Sequence, residues 1–209
     1  MDSHRQFFWK RLHSLSGVVP VGLFLILHFY SASFSVKGPE AFNHRLETVK
    51  AMPWMLPIEI FLIYLPILFH GILGVILSIK AKYNLLTCRY FNNLRFVLQR
   101  VSGVGLFLFV GAHVYKTRID PWMHGIPLNF YHMAEGLREP LTFTVYMFGI
   151  LGAAFHLANG LATFCITWGL TISPRAQARM TSVALVLFLV ITLVGINSVF
   201  GFLGMGVNI

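Results

Sequence analysis

Four histidines lie well inside apolar stretches of this 209-residue chain, in two pairs of nearly equal spacing. His28 and His113 are 85 residues apart; His70 and His156 are 86 apart. Their neighbourhoods repeat as well. Ser16-Gly17 precedes His28 by 12 and 11 residues, and Ser102-Gly103 precedes His113 by 11 and 10. Phe69-His70 followed by Gly74 returns as Phe155-His156 followed by Gly160. Neutral imidazole is a strong ligand for iron, and ionisable groups at membrane depth are rare unless they have a task. The pattern points to a membrane protein holding two bis-histidine haems. Small-residue packing explains single glycines, and hydrogen bonding explains single membrane histidines. Four histidines with glycines at matching offsets fit those explanations less readily.

The elements that must position these residues are membrane helices. The chain is 56% hydrophobic and 11% charged, with a mean hydropathy of +0.72, a composition suited to lipid rather than to a soluble core. Residues 12–35, 54–79, 96–115, 141–170 and 181–203 are each long and apolar enough to span a bilayer, which takes ~20 residues. The expected fold is an all-α, single integral membrane domain over residues 1–209 with five transmembrane helices. Its first four form a bundle with a parallel internal repeat. Segments 36–53 and 116–140 carry Pro, Gly and mixed charges and read as loops, the second with room for a short helix. The fifth span has no histidine and no charge and reads as a packing helix.

Cys88 and Cys165 make no C-x-x-C-H attachment motif, so any haem is held by coordination. No phosphate loop or nucleophile triad stands out. The net charge of +9 is one-sided, which argues against nucleic acid as the partner. Arg5, Lys10, Arg11, Lys80, Lys82, Arg89, Arg95, Arg100, Arg175 and Arg179 gather on one side against Asp2 alone. On the other side six cations are balanced by Glu40, Glu47, Asp120, Glu135 and Glu139. The positive-inside bias then makes the N-terminus cytoplasmic and the C-terminus external. The basic face also suits docking of a soluble cytoplasmic partner. The first 35 residues resemble a signal peptide, but cleavage would remove His28, so the segment is expected to stay.

Depth sorts the histidines. At ~1.5 Å per residue, His70 and His156 lie ~24 Å from the outer ends of their spans. His28 and His113 lie ~25 and ~20 Å from the cytoplasmic side. The outer pair is therefore His28 with His113, on spans one and three, and the inner pair is His70 with His156, on spans two and four. Gly17, Gly103, Gly74 and Gly160 share the histidine faces and would let a flat ring approach the backbone. Arg11, His13, Ser16, Arg100 and Ser102 lie near the inner level and could bind anionic propionates. Pro20 and Pro66 are expected to bend their helices. Glu59 is the sole carboxylate inside an apolar span; with Tyr30, His44 and Arg118 at similar depth it is a candidate quinone site. A snorkelling interfacial glutamate is the plain alternative.

Five spans with histidines on the first four resemble the single-chain dihaem cytochrome b anchor of succinate dehydrogenases and fumarate reductases, over essentially the whole chain. The resemblance implies two haem b groups, His28/His113 holding the outer and His70/His156 the inner. It implies a bacterial cytoplasmic (inner) membrane location, with an iron–sulfur subunit and a flavoprotein subunit on the cytoplasmic face. Electrons then pass between the iron–sulfur clusters and a membrane quinone, commonly menaquinone. Dicarboxylate chemistry belongs to the flavoprotein, so this subunit binds no dicarboxylate. Some family members carry a Glu, thought to move protons, two residues before the fourth-span histidine; here that position is Ala154. The competing readings are a dihaem cytochrome b of a hydrogenase or formate dehydrogenase, a metal or proton transporter, and an anchor that has lost haem. Transporters often show inverted repeats, whereas this repeat is parallel.

Overall fold

The computed structural model describes residues 3–207; Asp2, the acid counted against the basic face, lies outside them. Seven helical elements follow in order: α1 (His4–Lys37), α2 (Pro39–Lys50), α3 (Met55–Ile79), α4 (Phe91–His124), α5 (Phe130–Arg138), α6 (Pro140–Thr167) and α7 (Pro174–Phe202). Five of them, α1, α3, α4, α6 and α7, are long and apolar enough to cross a membrane, at 34, 25, 34, 28 and 29 residues. The described residues contain no strand. The fold is all-helical and multi-pass, as the hydropathy pattern requires.

Several expected boundaries move, for local reasons. Segment 36–53 is not a loop but contains α2. Gly38, at φ 93°, breaks the chain from α1, Pro39 takes the first turn, and Glu40 and Lys50 complement the helix dipole at either end. The third span starts at Phe91 and runs through the charged residues to His124, where Gly125 turns left-handed at φ 65°. The fifth begins at Pro174, because Ser173 accepts a bond from the Ala176 N–H and caps it within the basic segment.

The unequal 85 and 86 spacings have a structural origin. In α1 residues Gly17–Gly22 form a π-helical turn around Pro20, whereas the matching part of α4 is regular α-helix. A π turn absorbs one extra residue, and α1 has one more residue between its glycine and its histidine than α4 has. A second such turn, Glu59–Tyr64, precedes Pro66 in α3. Pro20 sits inside the widened ladder, and Pro66 follows two residues after the end of the second π turn.

Helix neighbours form a ring, α1–α3–α4–α6, with α7 packed outside against α6 and α1. The buried core lies on the α7 side, around Phe29, Ile150, Ala154, Ile191, Val199 and Phe202. There Ser35, 1% exposed, donates to the Ser198 carbonyl at 2.8 Å. A Cβ on Gly201 would lie 2.7 Å from the Val36 nitrogen, so only glycine permits this approach of α1 and α7. Ala154 is fully buried in that core.

Glu139 caps α6 by accepting from the Leu141 and Thr142 N–H groups. Its acidity is raised by the Thr142 side chain first, then by those two N–H groups and Lys116, which hold its carboxyl below the usual range. A depressed native value means that the cap stabilises above the ordinary carboxylate value of about 4.3 and fades as pH falls through the lowered one. Glu139→Gln is therefore expected to flatten the acid limb of thermal melting in detergent; an unchanged limb would show that the charge contributes nothing.

Candidate functional site

The two histidine pairs lie on the two diagonals of the ring. His28 on α1 faces His113 on α4, with ring centroids 5.7 Å apart and planes at 82°. His70 on α3 faces His156 on α6, at 6.1 Å and 87°. All four line one cavity of about 2580 Å³, several times the ~300–1,000 Å³ of an ordinary ligand site. Two metal–imidazole bonds of about 2 Å plus two ring radii place centroids about 6 Å apart. Both pairs have the centroid spacing that a shared metal ion requires.

The inner pair is anchored by the internal repeat. The His70 Nδ1–H donates to the His13 carbonyl at 3.0 Å, with the Ser16 hydroxyl at 3.3 Å. The His156 Nδ1–H donates to the Gln99 carbonyl at 3.1 Å, with the Ser102 hydroxyl at 3.2 Å. His13 and Gln99 are 86 residues apart, like the histidines they hold. A neutral imidazole with a proton on Nδ1 presents Nε2 as its lone-pair nitrogen, so this anchoring selects the ligating tautomer.

The glycines serve the rings. A Cβ on Gly17 would lie 2.3 Å from His70 Cε1, and one on Gly103 would lie 2.8 Å from His156 Cε1. Gly74 and Gly160 instead make room for the anchors, at 3.1 Å from His13 Nε2 and 3.3 Å from Gln99 Nε2. Because Gly17 and Gly103 touch the inner rings, they mark the inner level on α1 and α4. His28 is eleven and His113 ten residues further along, which separates the levels by about 15–16 Å.

The other sequence candidates divide. His13 stacks on His70 at 4.0 Å and 11°. It lines the cavity with Arg100, and His13 Nε2 and Arg100 Nε are buried without partners among the described residues. Two such donors at the inner level fit the anionic edge of a cofactor. Ser16 and Ser102 stand behind the imidazoles, not on the cavity. Arg11 turns away, donating to the Thr167 carbonyl at 3.0 Å and lying 4.9 Å from the Trp168 ring. At the outer end Glu59 pairs with Arg118, joining α3 to α4 beside the cavity. Tyr30 lies outside it, 5.3 Å from the Arg45 guanidinium, and His44 is exposed on α2.

Gln99, Asn159 and Tyr146 escape a sequence reading, and Arg95 is legible there only as part of the basic face. The Gln99 amide donates to the His156 carbonyl at 3.0 Å and accepts from Asn159 at 2.6 Å. Asn159, 4% exposed, also accepts from Arg95 at 2.7 Å. Only Gln99 has a signal, its place opposite His13 in the repeat. Leu73 and Ile60 stand opposite Asn159 and Tyr146, so the repeat points away from them.

Fold and site together define a multi-span helical membrane protein with two layered histidine pairs. Residues 88–196, just over half of the chain, match the family described as succinate dehydrogenase/fumarate reductase transmembrane subunit. The chain is also 42% identical over 202 residues to the succinate dehydrogenase cytochrome b558 subunit of Bacillus subtilis (strain 168), covering 97% of this chain and 100% of that protein. The chain belongs to the succinate dehydrogenase/fumarate reductase transmembrane subunit family.

Proposed function

We propose that this chain is a dihaem cytochrome b anchor, with His28 and His113 ligating the outer haem b and His70 and His156 the inner. The observation that carries the reading is the pair of facing imidazoles at two levels, at the spacing one metal ion needs. When bound, haem b supplies a one-electron carrier at each level, linking a cytoplasmic iron–sulfur subunit with menaquinone in the membrane.

The chain's own residues do the rest. Ser16, Ser102 and the His13 and Gln99 carbonyls hold the inner imidazoles in the ligating tautomer. His13 and Arg100 offer donors to propionates, and the apolar lining excludes water. Levels about 15–16 Å apart cover half of a ~30 Å hydrocarbon core, so an electron passing between them works against about half of the membrane potential, about 1.2 kcal/mol at 100 mV where a full crossing costs about 2.3. The one-sided cations support a cytoplasmic N-terminus, and the family supports a bacterial inner membrane. The exposed ones, Arg5, Lys10, Lys80, Lys82, Arg89, Arg175 and Arg179, form the dock for the iron–sulfur and flavoprotein subunits, where dicarboxylate chemistry resides.

A dithionite-reduced minus oxidised spectrum with pyridine haemochrome quantification tests the reading. Two b-type haems per chain are expected; none under haem-replete expression would sink it. For the quinone, Glu59 and Arg118 form the outer polar pair. Glu59→Gln is expected to raise the KM for quinone at least several-fold with haem content intact. An unchanged KM would remove this pair from the quinone site.

A further inference from the structure

The inner and outer histidine pairs are supported differently. Both inner rings are anchored by backbone carbonyls and hydroxyls, one set in each half of the repeat. In the outer pair His113 Nδ1 lies 3.0 Å from the Tyr146 hydroxyl on α6. His28 makes no hydrogen bond among the described residues, and Ile60 stands where the repeat would put its tyrosine.

The His113 ring is further clamped by Phe109, which stacks on it at 5.8 Å and 25° and meets Tyr146 edge-on at 5.5 Å and 88°. Phe109 reaches this place because position 149 is glycine; a Cβ there would lie 2.5 Å from its ring. Tyr146 also crosses His113 at 68°. Two side chains on different faces thus define one ring plane.

We propose that Tyr146 is the positioning residue of the outer centre, holding His113 by its Nδ1–H so that the ring stays near-perpendicular to His28. With Nε2 as the ligating nitrogen the proton must sit on Nδ1, and the phenol oxygen accepts the hydrogen bond from that N–H. A hydrogen bond at Nδ1 makes the imidazole a better electron donor, which favours the ferric state. Perpendicular imidazole planes act on two different iron d orbitals alike and keep them nearly degenerate, the condition for a large-gmax low-spin ferric signal.

This inference rests on the ligation proposed above, and the test separates the two. Tyr146→Phe, in the assembled complex, is expected to keep two haems per chain. It should raise the midpoint potential and lower the gmax of the component that His28→Ala removes, leaving the other component in place. Gly149→Ala, which displaces Phe109, is expected to disturb the same component alone and gives an independent reading if Tyr146→Phe fails to accumulate. Movement of both components together, or of neither, in these variants would overturn the role of Tyr146. If His28→Ala and His113→Ala remove different components, the ligation itself is wrong.

Discussion

His28→Ala and His113→Ala are each expected to remove one and the same b-type component, leaving half the haem, while His70→Ala and His156→Ala remove the other. Adjacent helices do not pair. Each outer histidine lies on the same helix as a glycine that touches an inner ring, yet its imidazole faces its own repeat partner across the ring diagonal. Loss of one ligand leaves a single metal bond and an exposed partner, so the effect should be all-or-none at its own level. Redox-difference spectra of the four variants decide the pairing. Any combination in which His28 and His70 remove the same component would contradict the two-level arrangement.

The second large effect is expected at Gly17. A methyl group there would stand 2.3 Å from His70 Cε1. That ring cannot step aside, being bonded to the His13 carbonyl and stacked on the His13 ring. Overpacking of this kind costs about 1–3 kcal/mol. If the strain falls on the metal bond, inner-haem affinity drops roughly 5- to 150-fold. Gly17→Ala should therefore deplete the inner component with the outer one retained. Gly103→Ala, at 2.8 Å from His156 Cε1, should do so more weakly. Gly105→Ala, with no atom within 4 Å of its added carbon, should do nothing. Equal haem content in all three variants would mean that these glycines serve helix packing alone.

Much of this protein was legible because lipid is a demanding solvent. A chain that must satisfy its backbone internally in hydrocarbon has to be helical there, so five apolar runs implied five helices. The same constraint makes a membrane histidine conspicuous, and the duplicated offsets sorted four of them into pairs before any contact was known. Boundaries were less legible. Gly38-Pro39 and the charges after it read as a breaker, yet these residues start α2, because proline and acid at a helix start favour the fold they would block in its middle.

What tertiary structure alone decided is which atoms meet. Ser16 and Ser102 are visible as repeated residues, but only packing shows that their hydroxyls lie 3.3 and 3.2 Å from the inner imidazole Nδ1 atoms. Tyr30, His44, Glu59 and Arg118 shared a depth, and only packing brought Glu59 to Arg118 and left Tyr30 and His44 outside the cavity. Tyr146 and Asn159 have no counterpart in the other half of the chain. Sequence periodicity reports the depth and face of each residue on its own helix. The rotation of each helix is settled by side chains from other helices that interlock.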